Sequence, residues 1–236
     1  MSWVCVVPVK GSAAAKTRLG ELPASFPARG ALAEAFALDT VAALVASPSV
    51  QRVLVVTADP AVAAPLTALG AQIVPEPSPG PPAEESNPAD AQSVSTAAPR
   101  DPLNVAIGEG IRVAHERWPL SNIAVLTGDL PALIVADVET TLAAASGHDR
   151  AMVADEEGTG TTTLLARAGI AMVPRFGPGS RAAHEAAGHH VLDLPPAASI
   201  RRDVDTPENL AEALHRGVGP HTNALLVHSR WGTTGA

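Results

Sequence analysis

Two groups of carboxylates in this sequence are placed where a divalent cation could bind. Asp129 follows Asn122–Leu126, a mostly apolar run that predicts a buried strand, and Gly128 gives the chain room to turn. In the later segment Asp203-Val-Asp205 the carboxylates alternate, so in extended chain both point the same way. Ligands of open α/β sheets bind outside the carboxyl ends of the strands. Asp129 and one of the later aspartates are therefore expected to meet at a site.

Each of these carboxylates also has a purely structural alternative. Asp129 could cap a helix or close a turn, which are common roles of aspartate at such positions. An aspartate of the later segment could instead pair with Arg201 or Arg202. The local sequence leaves both alternatives open.

Positive charge is concentrated near the start of the chain. Both lysines of the sequence, Lys10 and Lys16, lie in or beside a loop of small residues that follows a strand predicted over residues 3–9. Such a loop lets the backbone approach phosphates closely, and Lys16 with Arg18 could neutralise a triphosphate. The P-loop pattern G-x-x-x-x-G-K-[ST] is absent, and a solvated turn is the alternative.

Two glycine-rich turns are candidate anion-binding sites. Residues 158–161 (Gly-Thr-Gly-Thr) offer hydroxyl and backbone N–H donors. In residues 175–181 two glycines flank Pro178, and Ser180 is expected to cap a helix that runs to about residue 187. A helix start with flanking arginine suits a phosphate or a carboxylate. An ordinary loop and helix cap is the alternative for both turns.

Asparagine and histidine supply weaker signals. Asn104 lies in the first turn of a helix predicted over residues 102–115, where it could face a base or ribose or serve as a cap. The histidines His184, His189 and His190 lack the H-E-x-x-H spacing and cysteine partners of a zinc site. We therefore predict them on a helix surface and in a loop.

The elements that must position these residues alternate between apolar strands and amphipathic helices. This alternation predicts a three-layer α/β/α fold with a mostly parallel sheet and right-handed crossovers. The predicted strands are 3–9, 52–57, 72–74, 122–126, 151–154, 161–166 and 191–194, and the predicted helices are 28–46, 60–69, 102–115, 137–145, 180–187 and 207–216.

Length and composition indicate one domain over residues 1–228. Residues 76–100 are rich in Pro and Ser and too poor in apolar residues to form a core, which predicts a flexible insertion that could act as a lid. Residues 229–236 have a weak pattern typical of a disordered tail.

The overall charge and hydropathy exclude several classes of function. The 236-residue chain has a formal net charge of −8, which argues against general nucleic-acid binding. No apolar run approaches the roughly 20 residues of a membrane span, and no secretory leader is recognisable. The single cysteine, Cys5, falls in a predicted strand, so we expect a buried thiol in a cytoplasmic protein.

Separated carboxylates, a cationic loop and two anion-binding turns together suit phosphoryl-group chemistry with Mg²⁺, which prefers carboxylate and phosphate oxygens. Nucleotidyl transfer depends on charge neutralisation and positioning more than on a base. A phosphate acceptor is already ionised, which explains why no catalytic histidine or serine constellation stands out.

A series of short motifs occurs in order along most of the chain. They are Val7-Pro-Val-Lys10, Ala15-Lys-Thr-Arg-Leu19, Asp101-Pro-Leu-Asn104, Gly128-Asp-Leu-Pro-Ala-Leu133, Gly158-Thr-Gly-Thr161, Arg175-Phe-Gly-Pro178 with Ser180, and Asp203-Val-Asp-Thr-Pro207. This ordered set resembles the phosphoenolpyruvate/2-phospho-L-lactate guanylyltransferases of deazaflavin coenzyme (F-420) biosynthesis. The resemblance implies a GT-A-like nucleotidyltransferase fold and transfer of GMP from GTP to the phosphate of a three-carbon acid, with release of pyrophosphate.

The resemblance also implies roles for individual residues. Mg²⁺, or Mn²⁺ in its place, would bind Asp129 and Asp205. The chain departs from the family pattern at two places. The insertion at residues 76–100 is longer than the connection usual in the family, and Gly179 stands where the F-G-P-x-S turn usually has an acidic or polar residue. The GTP phosphates would contact Lys16 and Arg18, the nucleotide would also contact Lys10 and Asn104, and the acceptor's phosphate and carboxylate would contact Thr161, Gly177 and Ser180.

Several alternatives stay open at this point. The acceptor could be phosphoenolpyruvate, 2-phospho-L-lactate or 3-phosphoglycerate, and the chain could form a homodimer or pass its product to the next enzyme. Molybdopterin guanylylation would need a Gly-rich L-x-G-G loop that the chain lacks, and a D-x-D glycosyltransferase motif would lie earlier in the chain. A non-catalytic nucleotide-binding protein would have no use for two separated carboxylates.

Overall fold

The computed structural model describes residues 2–10, 19, 26–77 and 101–232. Lys16, Arg18 and most of the predicted insertion lie outside the described residues. The strands are β1 (Trp3–Pro8), β2 (Val50–Thr57), β3 (Gln72–Pro75), β4 (Asn122–Leu126), β5 (Arg150–Ala154), β6 (Thr161–Ala166) and β7 (His190–Val191). The α-helices are α1 (Arg29–Val45), α2 (Pro60–Ala68), α3 (Pro102–Arg117), α4 (Val135–Ala145), α5 (Ser180–Ala186), α6 (Pro207–Arg216) and α7 (Pro220–Gly232).

The seven strands form one sheet in the order β3-β2-β1-β4-β6-β5-β7. The first four strands of this order are parallel, and β7 is parallel to β5. Strand β6 is antiparallel to both of its neighbours. The mostly parallel sheet is confirmed, and β6 reverses because only six residues connect it to β5, far fewer than a parallel crossover needs.

Helices cover both faces of the sheet, which confirms the three-layer arrangement. Side chains of β1 alternate between the two faces: Trp3, Cys5 and Val7 pack in a core with residues of α1, α2 and α4. Val4 and Val6 pack in a second core with residues of α3. Because aromatic residues make up only 3% of the chain, both cores consist mainly of valine, leucine and alanine.

Burial also raises the pKa of the Cys5 thiol to about 12, as expected for a buried, unreactive cysteine.

The C-terminal end differs from the sequence prediction. Helix α7 is not predicted from the sequence, and it continues through residues 229–232, which the sequence assigns to a tail; residues 233–236 lie outside the described part. The carboxylate of buried Asp39 in α1 accepts hydrogen bonds from the backbone N–H groups of His221 and Thr222 in the first turn of α7, both at 2.9 Å. This cap comes from a residue distant in sequence, so no local pattern signals it.

Among the described helices, none is both long and apolar enough to cross a bilayer.

Candidate active site

Three aspartates from two distant segments meet beyond the carboxyl ends of the central strands. The backbone N–H of Val204 donates to the carbonyl of Asp129 at 3.0 Å and so joins the two segments directly. One carboxylate oxygen from each of Asp129, Asp203 and Asp205 lies within 4.8 Å of the other two. We call these three residues the aspartate cluster. The predicted meeting of Asp129 with a later aspartate is thereby realised, and it involves both later aspartates.

The end of β4 and its supports fix the position of Asp129. A Cβ atom at Gly128 would lie 3.1 Å from the carbonyl of Pro8, so the chain passes close to the end of β1 at this turn. The next backbone N–H, of Leu130, donates to Thr40 Oγ1 of α1 at 3.1 Å. Helix α4 begins later, with Ile134 as its N-cap. Asp129 is therefore not a helix cap, and the alternative that it caps the following helix is wrong.

The segment with the other two aspartates is anchored on both sides of the site. A 3₁₀ helix, Ser199–Arg201, precedes it. The hydroxyl of Thr162 in β6 donates to the Ile200 carbonyl of this helix at 2.6 Å. The buried side chain of Val204 packs with residues of α1 and α6, and the aspartates on either side of it face the cavity. Arg201 donates to the Asp155 carbonyl, and Arg202 pairs with Glu156 at 3.1 Å.

A cavity of about 450 Å³ opens beside the aspartate cluster. Six of the residues predicted for the site line this cavity. Among the described residues, Lys10 is the only lysine or arginine that lines it. Thr127, Asp155 and Leu103 also line it. The six predicted residues are Lys10, Asp129, Thr161, Gly177, Ser180 and Asp205.

The turn formed by residues 155–160 differs from its predicted role. Of the predicted donors, the backbone N–H groups of Thr159 and Gly160 donate to the Asp155 carboxylate at 2.9 and 2.7 Å, and that of Gly158 donates to the Asp155 carbonyl at 3.3 Å. These three groups are therefore not available to a ligand. A Cβ atom at Gly160 would overlap that carboxylate, so the turn requires glycine there. The predicted anion site on this turn is thus reduced to its hydroxyl groups. Sequence reasoning missed Asp155, although an aspartate five residues before a glycine in a strand-to-strand turn was a readable signal.

The turn formed by residues 175–180 also departs from prediction in detail. Gly179, with φ +72°, is the N-cap of α5 and makes no side-chain cap hydrogen bond, so Ser180 is the first helical residue and not the cap. Ser180 is buried and lines the cavity, as does Gly177. The expected flanking cations do not line the cavity: Arg175 is exposed, and Arg181 donates to the Gly158 carbonyl at 3.0 Å.

Asn104 holds the second turn in place. Its amide oxygen accepts from the Phe176 backbone N–H at 2.8 Å, and its amide nitrogen donates to the Phe176 carbonyl at 2.9 Å. Asn104 is not among the residues that line the cavity. Its contact with the nucleotide stays a prediction, whereas its support of the turn is a feature of the structure.

His184 is completely buried, so the prediction that it lies on a helix surface is wrong. Its ring nitrogens lie 3.0 Å from Thr161 Oγ1 and 2.9 Å from the backbone nitrogen of Arg175. Burial, the neighbouring His189 and the Arg175 charge lower the pKa of His184 to about 4. His189 is also buried, with a lowered pKa whose main cause is burial. No local pattern distinguishes this buried histidine from a surface one, because its partners lie 9 and 23 positions away in the sequence.

The charges that line the cavity favour a bound cation. Four aspartates line it, and only Lys10 opposes them among the described residues. A bound cation would offset this concentration of negative charge and let phosphate groups approach it. Carboxylate oxygens are also the donors that Mg²⁺ and Mn²⁺ prefer. The aspartate cluster therefore fits a divalent metal ion.

Comparisons with solved structures identify the fold. A protein of Desulfovibrio desulfuricans G20 described as a nucleotide-diphospho-sugar transferase has a TM-score of 0.57 at 15% identity and covers 97% of this chain and 99% of its own. A cytidylyltransferase from Leptospira borgpetersenii has a TM-score of 0.53 at 13% identity, with 99% and 96% covered. No protein-family model matches the chain. The chain thus has the α/β fold of the nucleotide-diphospho-sugar transferase-like nucleotidyltransferases.

Curated relatives identify the family. The chain is 45% identical over 227 residues to the phosphoenolpyruvate guanylyltransferase of Streptomyces scabiei, covering 96% of this chain and 97% of the relative. Identity to the proteins of the same name is 43% in Thermomonospora curvata and 42% in Streptomyces coelicolor, again over 96% of this chain. The chain belongs to the phosphoenolpyruvate guanylyltransferase family, and it is an enzyme of the nucleotidyltransferase class.

Proposed function

We propose that this enzyme transfers GMP from GTP to the phosphate of phosphoenolpyruvate and releases pyrophosphate. The observation that carries the proposal is the shared cavity: the aspartate cluster and the two turns at residues 155–161 and 175–180 line the same space. A cation site next to hydroxyl donors suits two phosphorylated substrates that must meet. The name of the relatives, phosphoenolpyruvate guanylyltransferase, supports GTP as the nucleotide and phosphoenolpyruvate as the acceptor.

The proposed divalent ion is Mg²⁺, with Mn²⁺ as a substitute. Asp129 and Asp205, and beside them Asp203, would hold it, since all three offer oxygen atoms within 4.8 Å of one another. When bound, this ion would neutralise phosphate charge at the site. Asp203 is an addition to the pair of ligands, Asp129 and Asp205, that the family resemblance implies.

The remaining residues divide between the two substrates. We assign Lys10 to the nucleotide phosphates because it lines the cavity on the side of β1. Lys16 and Arg18 are assigned there by motif position only, since they lie outside the described residues. Thr161, Gly177 and Ser180 line the cavity and are assigned to the phosphate and carboxylate of the acceptor.

The proposed reaction needs no general base. A phosphate oxygen of the acceptor forms a bond to the α-phosphorus of GTP, and the bond from that phosphorus to the oxygen of the β-phosphate breaks. Pyrophosphate leaves with the electron pair, and the acceptor oxygen carries no proton near neutral pH. The chain's contribution is thus to bind and orient the substrates and to neutralise their charge, in agreement with a cavity that contains aspartates, hydroxyl groups and Lys10.

We place the reaction in the cytoplasm, in F-420 biosynthesis, with a hand-off of product to the next enzyme.

Pyrophosphate release tests this proposal. The enzyme is incubated with GTP, Mg²⁺ and one acceptor at a time: phosphoenolpyruvate, 2-phospho-L-lactate, 3-phosphoglycerate or molybdopterin. We expect release with phosphoenolpyruvate and a product whose mass equals acceptor plus GMP, with ATP and CTP as poor substitutes for GTP. Release with none of the acceptors would favour a non-catalytic binding protein, and release only with molybdopterin or 3-phosphoglycerate would reject the proposed acceptor.

A further inference from the structure

The His184 ring connects the two turns that line the acceptor side of the cavity. One ring nitrogen, Nδ1, lies 3.0 Å from Thr161 Oγ1 at the start of β6. The other, Nε2, lies 2.9 Å from the backbone nitrogen of Arg175, which begins the second turn. Both contacts are buried or partly buried, and the ring itself has no exposed surface. His184 does not line the cavity, so any effect on a substrate must pass through these two partners.

The partners determine which nitrogen carries the proton. A backbone N–H can only donate, so Nε2 of His184 must accept from Arg175 and must be unprotonated. In a neutral imidazole the proton is then on Nδ1, which makes Nδ1–H a donor to Thr161 Oγ1.

The surroundings of the ring favour its neutral form. Arg175 and His189 both face His184 with positive or potentially positive charge, and Phe176 contacts the ring edge-on, with centroids 5.2 Å apart. His189 Nδ1 lies 3.1 Å from the His184 carbonyl, and Arg150 adds positive charge near His189. No carboxylate of the described residues is in hydrogen-bond contact with the ring. A proton on Nε2 would therefore lose the Arg175 bond and gain no compensating partner.

The tautomer fixes the direction of the Thr161 hydroxyl. Since Thr161 Oγ1 accepts from His184, its own hydrogen must point elsewhere, and no acceptor for it is found within the described parts of the chain. Thr161 lines the cavity. We propose that His184 is a positioning residue: as the neutral Nδ1–H form it presents the Thr161 hydroxyl as a donor to an anionic oxygen of the acceptor acid, while Nε2 holds the turn that carries Gly177 and Ser180. The proposal rests on the proposed function for the identity of that acceptor.

Two substitutions separate the two contacts of the ring. Glutamine in His184→Gln can place its amide oxygen near the Nε2 position, which keeps an acceptor for Arg175 and removes the donor to Thr161. Asparagine in His184→Asn can place its amide nitrogen near the Nδ1 position, which keeps the donor and removes the acceptor. Thr161→Val removes the hydroxyl itself.

We expect His184→Gln and Thr161→Val each to raise the KM for phosphoenolpyruvate about tenfold or more, the loss typical of one hydrogen bond to a charged group. The KM for GTP should change less than about twofold in either variant, and His184→Asn should retain more acceptor affinity than His184→Gln. The double variant should be no worse than Thr161→Val, because both changes break the same chain of hydrogen bonds that runs from His184 through Thr161 to the acceptor. Additive losses, or equal losses for GTP and acceptor, would overturn the proposal and indicate a merely structural histidine.

A spectroscopic measurement on the unsubstituted enzyme does not depend on substrate or on the folding of variants. The ¹⁵N chemical shifts of the His184 ring distinguish a protonated from an unprotonated nitrogen. We expect a protonated Nδ1 and an unprotonated Nε2 at pH 7; a protonated Nε2, or a doubly protonated ring, would contradict the proposal. If the predicted tautomer is found but no acceptor gives turnover, the proposed function fails and the assignment of the hydrogen bond stands.

Discussion

At the scale of single residues, the site depends on side chains whose partners lie far away in sequence. Asp129 and the segment containing Asp203 and Asp205 could be predicted to face a common site, because strand ends and alternation place them. Two other features were not predicted. The Asp155 carboxylate accepts from backbone donors of its own turn, a local contact that the spacing of aspartate and glycine indicates. His184 contacts residues 9 and 23 positions away, and that hydrogen-bond geometry is not encoded in a linear pattern.

The buried histidines should make the stability of the enzyme depend on pH. The pKa of His184 is lowered to about 4 and that of His189 is also lowered, mainly by burial, whereas an exposed histidine titrates near 6.5. Between these values the unfolded chain binds more protons than the folded one, so the free energy of unfolding should fall as the pH drops from about 6.5 towards 4. The slope is at most about 1.4 kcal/mol per pH unit for each histidine.

Chemical denaturation at a series of pH values measures this dependence. His184→Gln should flatten the profile relative to the unsubstituted enzyme, and comparing the two profiles cancels the titration of carboxylates. His228→Gln is the matched control, because that histidine is exposed on α7. Parallel profiles for His184→Gln and the unsubstituted enzyme would show that His184 does not titrate as described.

At the scale of elements, the strand and helix pattern was largely readable and the exceptions have physical causes. Strands β4 and β6 and helix α6 have the predicted bounds, because apolar runs and an N-terminal proline mark them. Strand β7 is shorter than predicted, His190–Val191, since only these residues pair with β5. Helix α7 was missed because its cap and its packing against α1 are tertiary. The antiparallel direction of β6 depends on a short turn and not on strand composition.

Two glycines of α3 offer a test of how this helix packs on the sheet. A Cβ atom at Gly110 would overlap Val6 Cγ1 and lie 2.8 Å from Val56 Cγ2, whereas one at Gly108 would have no atom within 4 Å. Gly110→Ala should therefore lower the free energy of unfolding by about 1–3 kcal/mol, the typical cost of overpacking. Gly108→Ala should raise it by roughly 0.5–1 kcal/mol, because alanine is the better helix former. Urea unfolding of the two variants measures both changes, and a stable Gly110→Ala variant would contradict the close contact of α3 with β1.

At the scale of the whole molecule, the fold gathers acidic residues from the ends of separate elements at one edge of the sheet. Asp129 follows β4, and Asp203 and Asp205 follow the 3₁₀ helix at the far end of the chain; one backbone hydrogen bond joins them. The surrounding cavity carries more negative than positive charge among the described residues. A divalent cation bound at the aspartate cluster would offset this negative charge.

Titration with Mn²⁺ tests whether a cation binds at the aspartate cluster. The electron paramagnetic resonance signal of free Mn²⁺ is followed as the enzyme is titrated, with and without GTP, for the unsubstituted protein, Asp129→Asn, Asp203→Asn and Asp205→Asn. Asp149→Asn is the matched control, because that exposed aspartate pairs with Arg167 away from the cavity. We predict that each change in the aspartate cluster weakens Mn²⁺ binding at least tenfold and that Asp149→Asn leaves it unchanged. Mn²⁺ affinity that stays the same in all three cluster variants would contradict the account.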